Sequence, residues 1–411
     1  MKLYLGIDWS ESKHDICLLN PSGVVQAQTV IEHSEIGFCQ LDHLRKQMGV
    51  SPQECAIGLE TSHSILVDFL WDRSYTAIYV LPPTLVKGSR TRLRSSGARD
   101  DPSDAFLIAD ILRTDLGRLH CWQPDSLLTR QLRARVRFFD FLTKQIVRLT
   151  NRQRAVLLRY CPATANLFSG LNTLIAQHFI LHYPTPQAAD QLDLPTFRSF
   201  AKKHRYPRPS KLAGILAKLD HPHPEAPQEL VRIYQSEAQE LARMLLEAIR
   251  LKSSTKKEIA SLLTQHPDYE IYASLPGAGD YLQAALLSKL GDDRQRIGRA
   301  NHLQALAGTC PVTVSSGKRK FVRFRHACDR DFRRIAQQWA KSSLGVLSGQ
   351  TLIFLKCFPG VILTAMPTAV WRIAGWQSYG DCGGIGYLTM KATICNSAER
   401  KVNLFIANFD F

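Results

Sequence analysis

The chain has 411 residues, of which 45% are hydrophobic and 21% charged, an ordinary globular composition long enough for two or three domains. Its 52 Lys and Arg against 36 Asp and Glu give a net charge of +16, which points to a polyanionic partner, with nucleic acid the first candidate. Ten cysteines without a CxxC pair exclude an obvious zinc site or disulfide framework and read as reduced thiols in a cytoplasmic protein, and the polar start MKLYLGIDWSESKHD excludes a signal peptide.

In chain order, LYLGIDWS and HDICLLN are short β-rich runs separated by polar residues, a hairpin-like start, and VVQAQTVIEH reads as a third strand. IGFCQLDHLRKQMGV follows as an amphipathic helix, CAIGLETS as a strand, SILVDFLWDR as a helix and YTAIYVLPP as a strand. Three strands followed by alternating helices and strands predict a mixed sheet flanked by helices over residues 1–115, an α/β domain. The stretch RDDPSDAFLIAD, residues 99–110, holds four aspartates in an otherwise basic chain, with Pro102 opening a helix.

Residues 122–270 read as helical, with Leu132, Phe139, Ile146 and Leu149 at helical spacing and arginines on the other faces. Those arginines suit either a solvated face of a core helix or a helix lying along nucleic acid. Within this zone FRSFAKKHRYPRPSK interleaves Phe197, Phe200 and Tyr206 with six basic residues, among them Lys202, Lys203 and Arg205. Stacking and phosphate neutralisation would suit a nucleic-acid strand there. The third zone, 271–344, is mainly helical and opens on LPGAGDYLQAALLSKLGDD. Gly277 and Gly279 ahead of an apolar helix offer backbone N–H groups to a phosphate, or serve a tight turn.

The acids carry the chemistry. Asp8 ends the first strand, Glu60 follows a later one, and Asp101 and Asp104 stand three apart at a helix start, on one face. Adjacent strand ends and a helix N-terminus could bring the four together. Clustered carboxylates repel unless cations neutralise them, and such hard oxygen ligands select Mg²⁺ or Mn²⁺. Two such ions about 4 Å apart serve phosphodiester displacement. Taken singly, each acid is as well explained by a turn, a strand edge or a helix cap.

The order GIDWS, IGLETS, RDDPSDAFLIAD, SLPGAGDYLQAALLSKLGDD, LQALAGTCPVTVSSGK and FRHACDRDFRR resembles the DEDD transposases of the one-ten insertion-sequence family, from residue 3 to about residue 343. The resemblance implies a RuvC-like N-terminal domain joined through a helical, coiled-coil-like region to a mainly helical C-terminal transposase domain. It implies a recombinase directed by a noncoding bridge RNA that pairs target and donor DNA. The four acids carry over as Asp8, Glu60, Asp101 and Asp104, with Asp100 in place of the family's usual threonine. The family's nucleophilic serine falls at Ser316, in Ser316-Gly317, with Ser315 as the fallback. Metal held by the acids would activate this weak nucleophile, while Lys318, Arg319, Lys320, Arg323 and Arg325 would hold the DNA backbone. Two DNA partners and four strand exchanges suggest a homodimer or homotetramer. The alternatives are a RuvC-like metal-dependent nuclease or junction resolvase that uses water, and a noncatalytic nucleic-acid-binding remnant.

After KSSL, residues 341–344, the resemblance stops. TLIFLKCFPGVILTAMPTAVW is apolar, but Lys356, Pro359, Gly360 and Pro367 make it a poor membrane span, so no membrane partner is expected. Reading two bases later from about Gly345, with suitable synonymous codons, yields a peptide like the family's C-terminal end, closing on Tyr-Asp-Glu, with a stop at Lys401. Met366, Trp376 and Met390 have single codons, and their final G forces Ala, Ala and Glu, which all fit. Residues 345–411 are therefore expected to be an out-of-frame tail.

Overall fold

Short apolar strands whose side chains are buried on both faces, LYLGIDW, KHDICLL and CAIGL, build the first unit. In the computed structural model, which describes residues 1–62, 64–90, 101–219, 226–293, 297, 299–317 and 319–344, the chain divides into two compact units, Met1–Asp125 and Ser126 onward. Lys318 and the tail 345–411 lie outside the described residues.

In the first unit, strands β1 (Leu3–Trp9), β2 (Lys13–Leu19), β3 (Val25–Glu32), β4 (Cys55–Leu59), β5 (Ile78–Val80) and β6 (Cys121–Trp122) form one sheet. Its order is β3-β2-β1-β4-β5-β6, antiparallel at β3-β2-β1, parallel at β1-β4-β5, and antiparallel again at β6. Helices α1 (Glu35–Gln47), α2 (Ile65–Asp72), α3 (Pro83–Ser89) and α4 (Asp101–Asp115) complete the unit. Every expected strand and helix up to β5 is present, and the structure adds α3 and the two-residue β6. Leu5, Ile7, Ile16 and Ile57 pack with Phe38 of α1 and Leu66 of α2 on one sheet face. Tyr4, Cys17 and Ala56 pack with Ala105, Ile108 and Leu112 of α4 on the other.

The second unit is mainly helical. Helix α5 (Leu127–Tyr160) is followed by the short helices α6 (Pro162–Ala165), α7 (Leu174–His182), α8 (Pro186–Asp190), α9 (Leu194–Lys203) and α10 (Leu212–Leu216), and the chain returns along α11 (Gln228–Thr264). Leu132 packs with Ile259 and Leu263 at one end, and Val156 with Val231 and Ala238 at the other, so α5 and α11 are antiparallel. Arg135 and Arg152 of α5 pair with Glu258 and Glu237 of α11, which makes part of the arginine-rich surface a helix–helix seam. Helices α12 (Tyr269–Ala273), α13 (Asp280–Leu290), α14 (Ala300–Ala307) and α15 (Arg330–Leu344), with strands β7 (Val312–Ser316) and β8 (Arg319–Arg323), follow in the same unit. The helical middle and the C-terminal zone thus share one compact unit. Among the described residues no helix is long and apolar enough to cross a membrane.

Candidate active site

Two glycines place α4 against the sheet. A Cβ on Gly6 would stand 2.0 Å from the Ala105 carbonyl oxygen and 2.6 Å from the Ala109 nitrogen, and one on Gly58 would stand 2.7 Å from Ile108. Gly6 and Gly58 are register partners on neighbouring parallel strands, so together they form a flat bed for the helix. α4 runs back along β1. Near its end Arg113 lies against Gly23, in the β2–β3 turn beside the start of β1, so its acidic beginning lies toward the C-terminal end of β1.

Strand alternation then sorts the acids. Asp8 lies two residues beyond Gly6, and Glu60 two beyond Gly58, so both fall on the face that α4 covers. Asp104 immediately precedes Ala105, the residue that abuts Gly6. All three carboxylates are half-buried. The backbone of Asp101 opens α4, one turn before Asp104, and its side chain lies outside the described residues. Directly across from Asp8 on β2 stands Asp15, 6% exposed, a fifth acid on the same face that the sequence did not single out. Asp104 is clamped by Arg90 at the end of α3, whose Nε donates to Oδ1 at 3.0 Å and Nη2 to Oδ2 at 2.5 Å.

An all-carboxylate donor set of this kind suits a hard divalent cation. Among the described residues, however, no three acids, histidines or cysteines are drawn together closely enough to hold one. The donor chemistry of the four acids fits such an ion.

The opposite face of the same strand ends is aromatic. His14 is fully buried, its Nε2 is 2.8 Å from Nδ1 of His33, and Trp9 stacks on it while donating Nε1–H to Ser64 Oγ at 3.0 Å. Burial, reinforced by His33, holds the His14 imidazole down to about 4.

The serine motif lies on an exposed hairpin. β7 pairs antiparallel with β8, placing Ser316 opposite Arg319, Ser315 opposite Lys320 and Val312 opposite Arg323. Ser316, Arg319 and Arg323 therefore share one face with Val312, Val314 and Phe321, while Ser315 and Lys320 share the other. Gly317 follows with φ +54°, a left-handed conformation that favours glycine in a tight hairpin loop. Arg325 turns back, its Nε donating to the Cys310 carbonyl at 3.2 Å.

Other expected contacts take different places. Gly277, φ +69°, sits where a Cβ would meet the backbone of Ser342 and Ser343 at 2.7–2.8 Å, so it serves the close approach of α15. Gly279 is the exposed N-cap of α13, followed by Asp280. Phe197 and Phe200 are core residues that pack on Phe168 and Phe179, with Tyr206 against the same cluster, so they form no stacking platform. The reason is spacing: they lie three apart on the apolar face of α9. Lys202, Lys203 and Arg205 remain exposed.

This α/β acid face and basic hairpin fall within regions that known proteins share. The chain matches a DEDD-type transposase model of the IS110 family over residues 5–162, and the model described as transposase IS116/IS110/IS902 family over residues 269–350, together more than half its length. The protein is an enzyme of the transposase class. It belongs to the IS110 family. Among its relatives is the mini-circle transposase named for IS117 in Streptomyces coelicolor, 28% identical over 362 residues, which cover 85% of this chain and 86% of that protein. A transposase of Sinorhizobium fredii, y4uE, is 28% identical over 50% of this chain and 57% of its own length. The 43.6 kDa protein of insertion element IS110 from S. coelicolor is 23% identical over 77% of each.

Proposed function

We propose that the chain is the recombinase of an insertion sequence and that Ser316 attacks a DNA phosphodiester. The Ser316 Oγ–P bond forms as a P–O bond of the DNA backbone breaks, and the serine proton leaves with the departing oxygen once it becomes a hydroxyl. The observation that carries the reading is the row Asp8, Glu60 and Asp104 on the α4 face of a 3-2-1-4-5 sheet, an order that supports a RuvC-like, ribonuclease-H-like domain. Asp8, Glu60, Asp101 and Asp104 would hold Mg²⁺ or Mn²⁺, which when bound would polarise the phosphate and ease loss of the serine proton. Arg319 and Arg323, on the face of Ser316, would bind the DNA backbone together with Lys318 and Lys320, and offset developing charge. Lys202, Lys203 and Arg205, exposed on the second unit, suit the phosphates of the guide RNA, through which sequence choice would run. A homodimer or homotetramer would serve the four strand exchanges.

The test is denaturation-resistant protein–DNA crosslinking, using the full chain and a version carrying the alternate-frame C-terminus. A serine recombinase leaves a covalent adduct that Ser316→Ala and Asp8→Asn abolish while nucleic-acid binding persists. Cutting without an adduct would establish a water-using nuclease. Binding with neither cutting nor adduct in both versions would establish a remnant.

A further inference from the structure

Clustered carboxylates need positive charge whether or not an ion is bound. On the α4 face, Arg90 supplies it to Asp104. The pair joins the end of α3 to the first turn of α4, and it is largely shielded, with side-chain exposures of 29% and 19%. The fork engages both Asp104 oxygens, the bidentate geometry that only a guanidinium offers. Arg90 is itself set in place by its helix, whose Val86 and Ser89 are buried immediately before it. A divalent cation ligated by Asp104 would stand close to the same guanidinium, and like charges at that range exclude one another.

We propose that Arg90 is a positioning residue for the acid site, a resident counter-ion that holds Asp104 until a divalent cation displaces it. The proposal rests on the reading of Asp104 as a cation ligand. In the ion-free state Arg90 offsets the repulsion between Asp104 and its acidic neighbours and fixes the start of α4. When an ion enters, the guanidinium gives up Asp104 and stands at the rim of the site, where a phosphate can take it. Arg90 and the divalent ion thus compete for one carboxylate, and removing the fork must raise ion affinity.

The experiment is titration of the chelator-stripped full chain with Mn²⁺, following the free-ion electron paramagnetic resonance signal. Arg90→Gln should bind Mn²⁺ about three- to tenfold tighter than the wild type, the range expected for release of a partly exposed, charge-assisted pair. Arg90→Lys keeps the charge and loses the fork, so it should also bind more tightly, though by less. Thermal melts provide an independent readout. Both variants should lose stability without the ion and gain more from saturating Mn²⁺ than the wild type does. Wild-type affinity in both variants overturns the proposal. Tighter binding confined to Arg90→Gln overturns it as well, because charge alone would then suffice. Asp104→Asn separates the two readings: if it leaves Mn²⁺ affinity unchanged, Asp104 is no ligand and the cation reading itself fails.

Discussion

What a side chain can do at the strand ends is decided by which face it falls on. Asp8 and Trp9 are neighbours in sequence, yet one faces α4 among acids and the other stacks on His14 in an apolar, aromatic layer. The acids Asp8, Glu60, Asp101 and Asp104 were legible as strand-end and helix-start residues. Asp15 was not, because its position across from Asp8 depends on strand register, which HDICLLN alone does not reveal. His14 carries a prediction. In an unfolded chain its imidazole takes up a proton near 6.5, whereas burial holds it to about 4 in the fold. Between those values the unfolded state binds more protons, so stability is intact above the window and is lost as pH falls through it. The loss amounts to at most about 3 kcal/mol for this one group. His204 in the second unit is also held down to about 4, by burial and by neighbouring histidines and Lys203, so the wild type alone is not diagnostic. Denaturant melts at pH 7.5, 6.5, 5.5 and 4.5 should show His14→Leu losing less stability across the series than the wild type. Equal slopes for the two proteins would remove His14 from the acid response.

At the scale of elements, the site depends on how closely α4 can approach the sheet. Gly6 looks unremarkable in LYLGIDWS, where a strand glycine usually signals weakness, and nothing local says which helix will cover it. The structure shows the need: the Ala105 carbonyl lies 2.0 Å from where a Cβ would be, and it belongs to helix backbone that cannot swing aside. Gly6→Ala should therefore push α4 off β1, costing roughly 3 kcal/mol or more through overpacking and misplacing Asp104 relative to Asp8. Thermal melts read the first effect and Mn²⁺ binding the second. A variant with unchanged melting and unchanged ion affinity would mean that α4 does not pack as described. The same scale explains what sequence reading missed. Phe197 and Phe200 looked like stacking groups because basic residues surround them, but a three-residue spacing on α9 makes them core. Pro82-Pro83 read as the end of a strand and in fact opens α3, whose last turn delivers Arg90 to Asp104. The basic hairpin places Ser315 and Ser316 on its first strand, and only the register separates their two faces, which SSGKRKF alone does not reveal.

For the whole molecule, the large positive charge and the clustered acids fit one economy: basic surfaces to hold a polyanion, and a few carboxylates to work on it. Of the two long helices, α5 was legible from the helical spacing of Leu132, Phe139, Ile146 and Leu149, whereas α11 and its antiparallel return depend on long-range packing that no local period reveals. No such helical period runs through TLIFLKCFPGVILTAMPTAVW in the tail. An evolved C-terminal segment buries its apolar residues against partners that evolved with it, so its apolar positions follow a helical or strand period. The stretch TLIFLKCFPGVILTAMPTAVW follows neither, which is what a correct gene read in the wrong frame produces. Codon freedom makes the overall match of the alternate reading cheap, but Met366, Trp376 and Met390 allow no choice, and each forces a residue that fits. The expected outcome is that the coding DNA, read two bases later from about Gly345, encodes a family-like end closing on Tyr-Asp-Glu before a stop at Lys401. Sequencing that DNA decides the matter, and any other peptide in that frame sinks the idea. If it holds, the chain as written should expose apolar surface, aggregate more readily and fail at strand exchange, while the restored-frame version stays dispersed and recombines. Light scattering and a recombination assay on the two proteins would read those differences, and equal behaviour in both would show the tail to be without consequence.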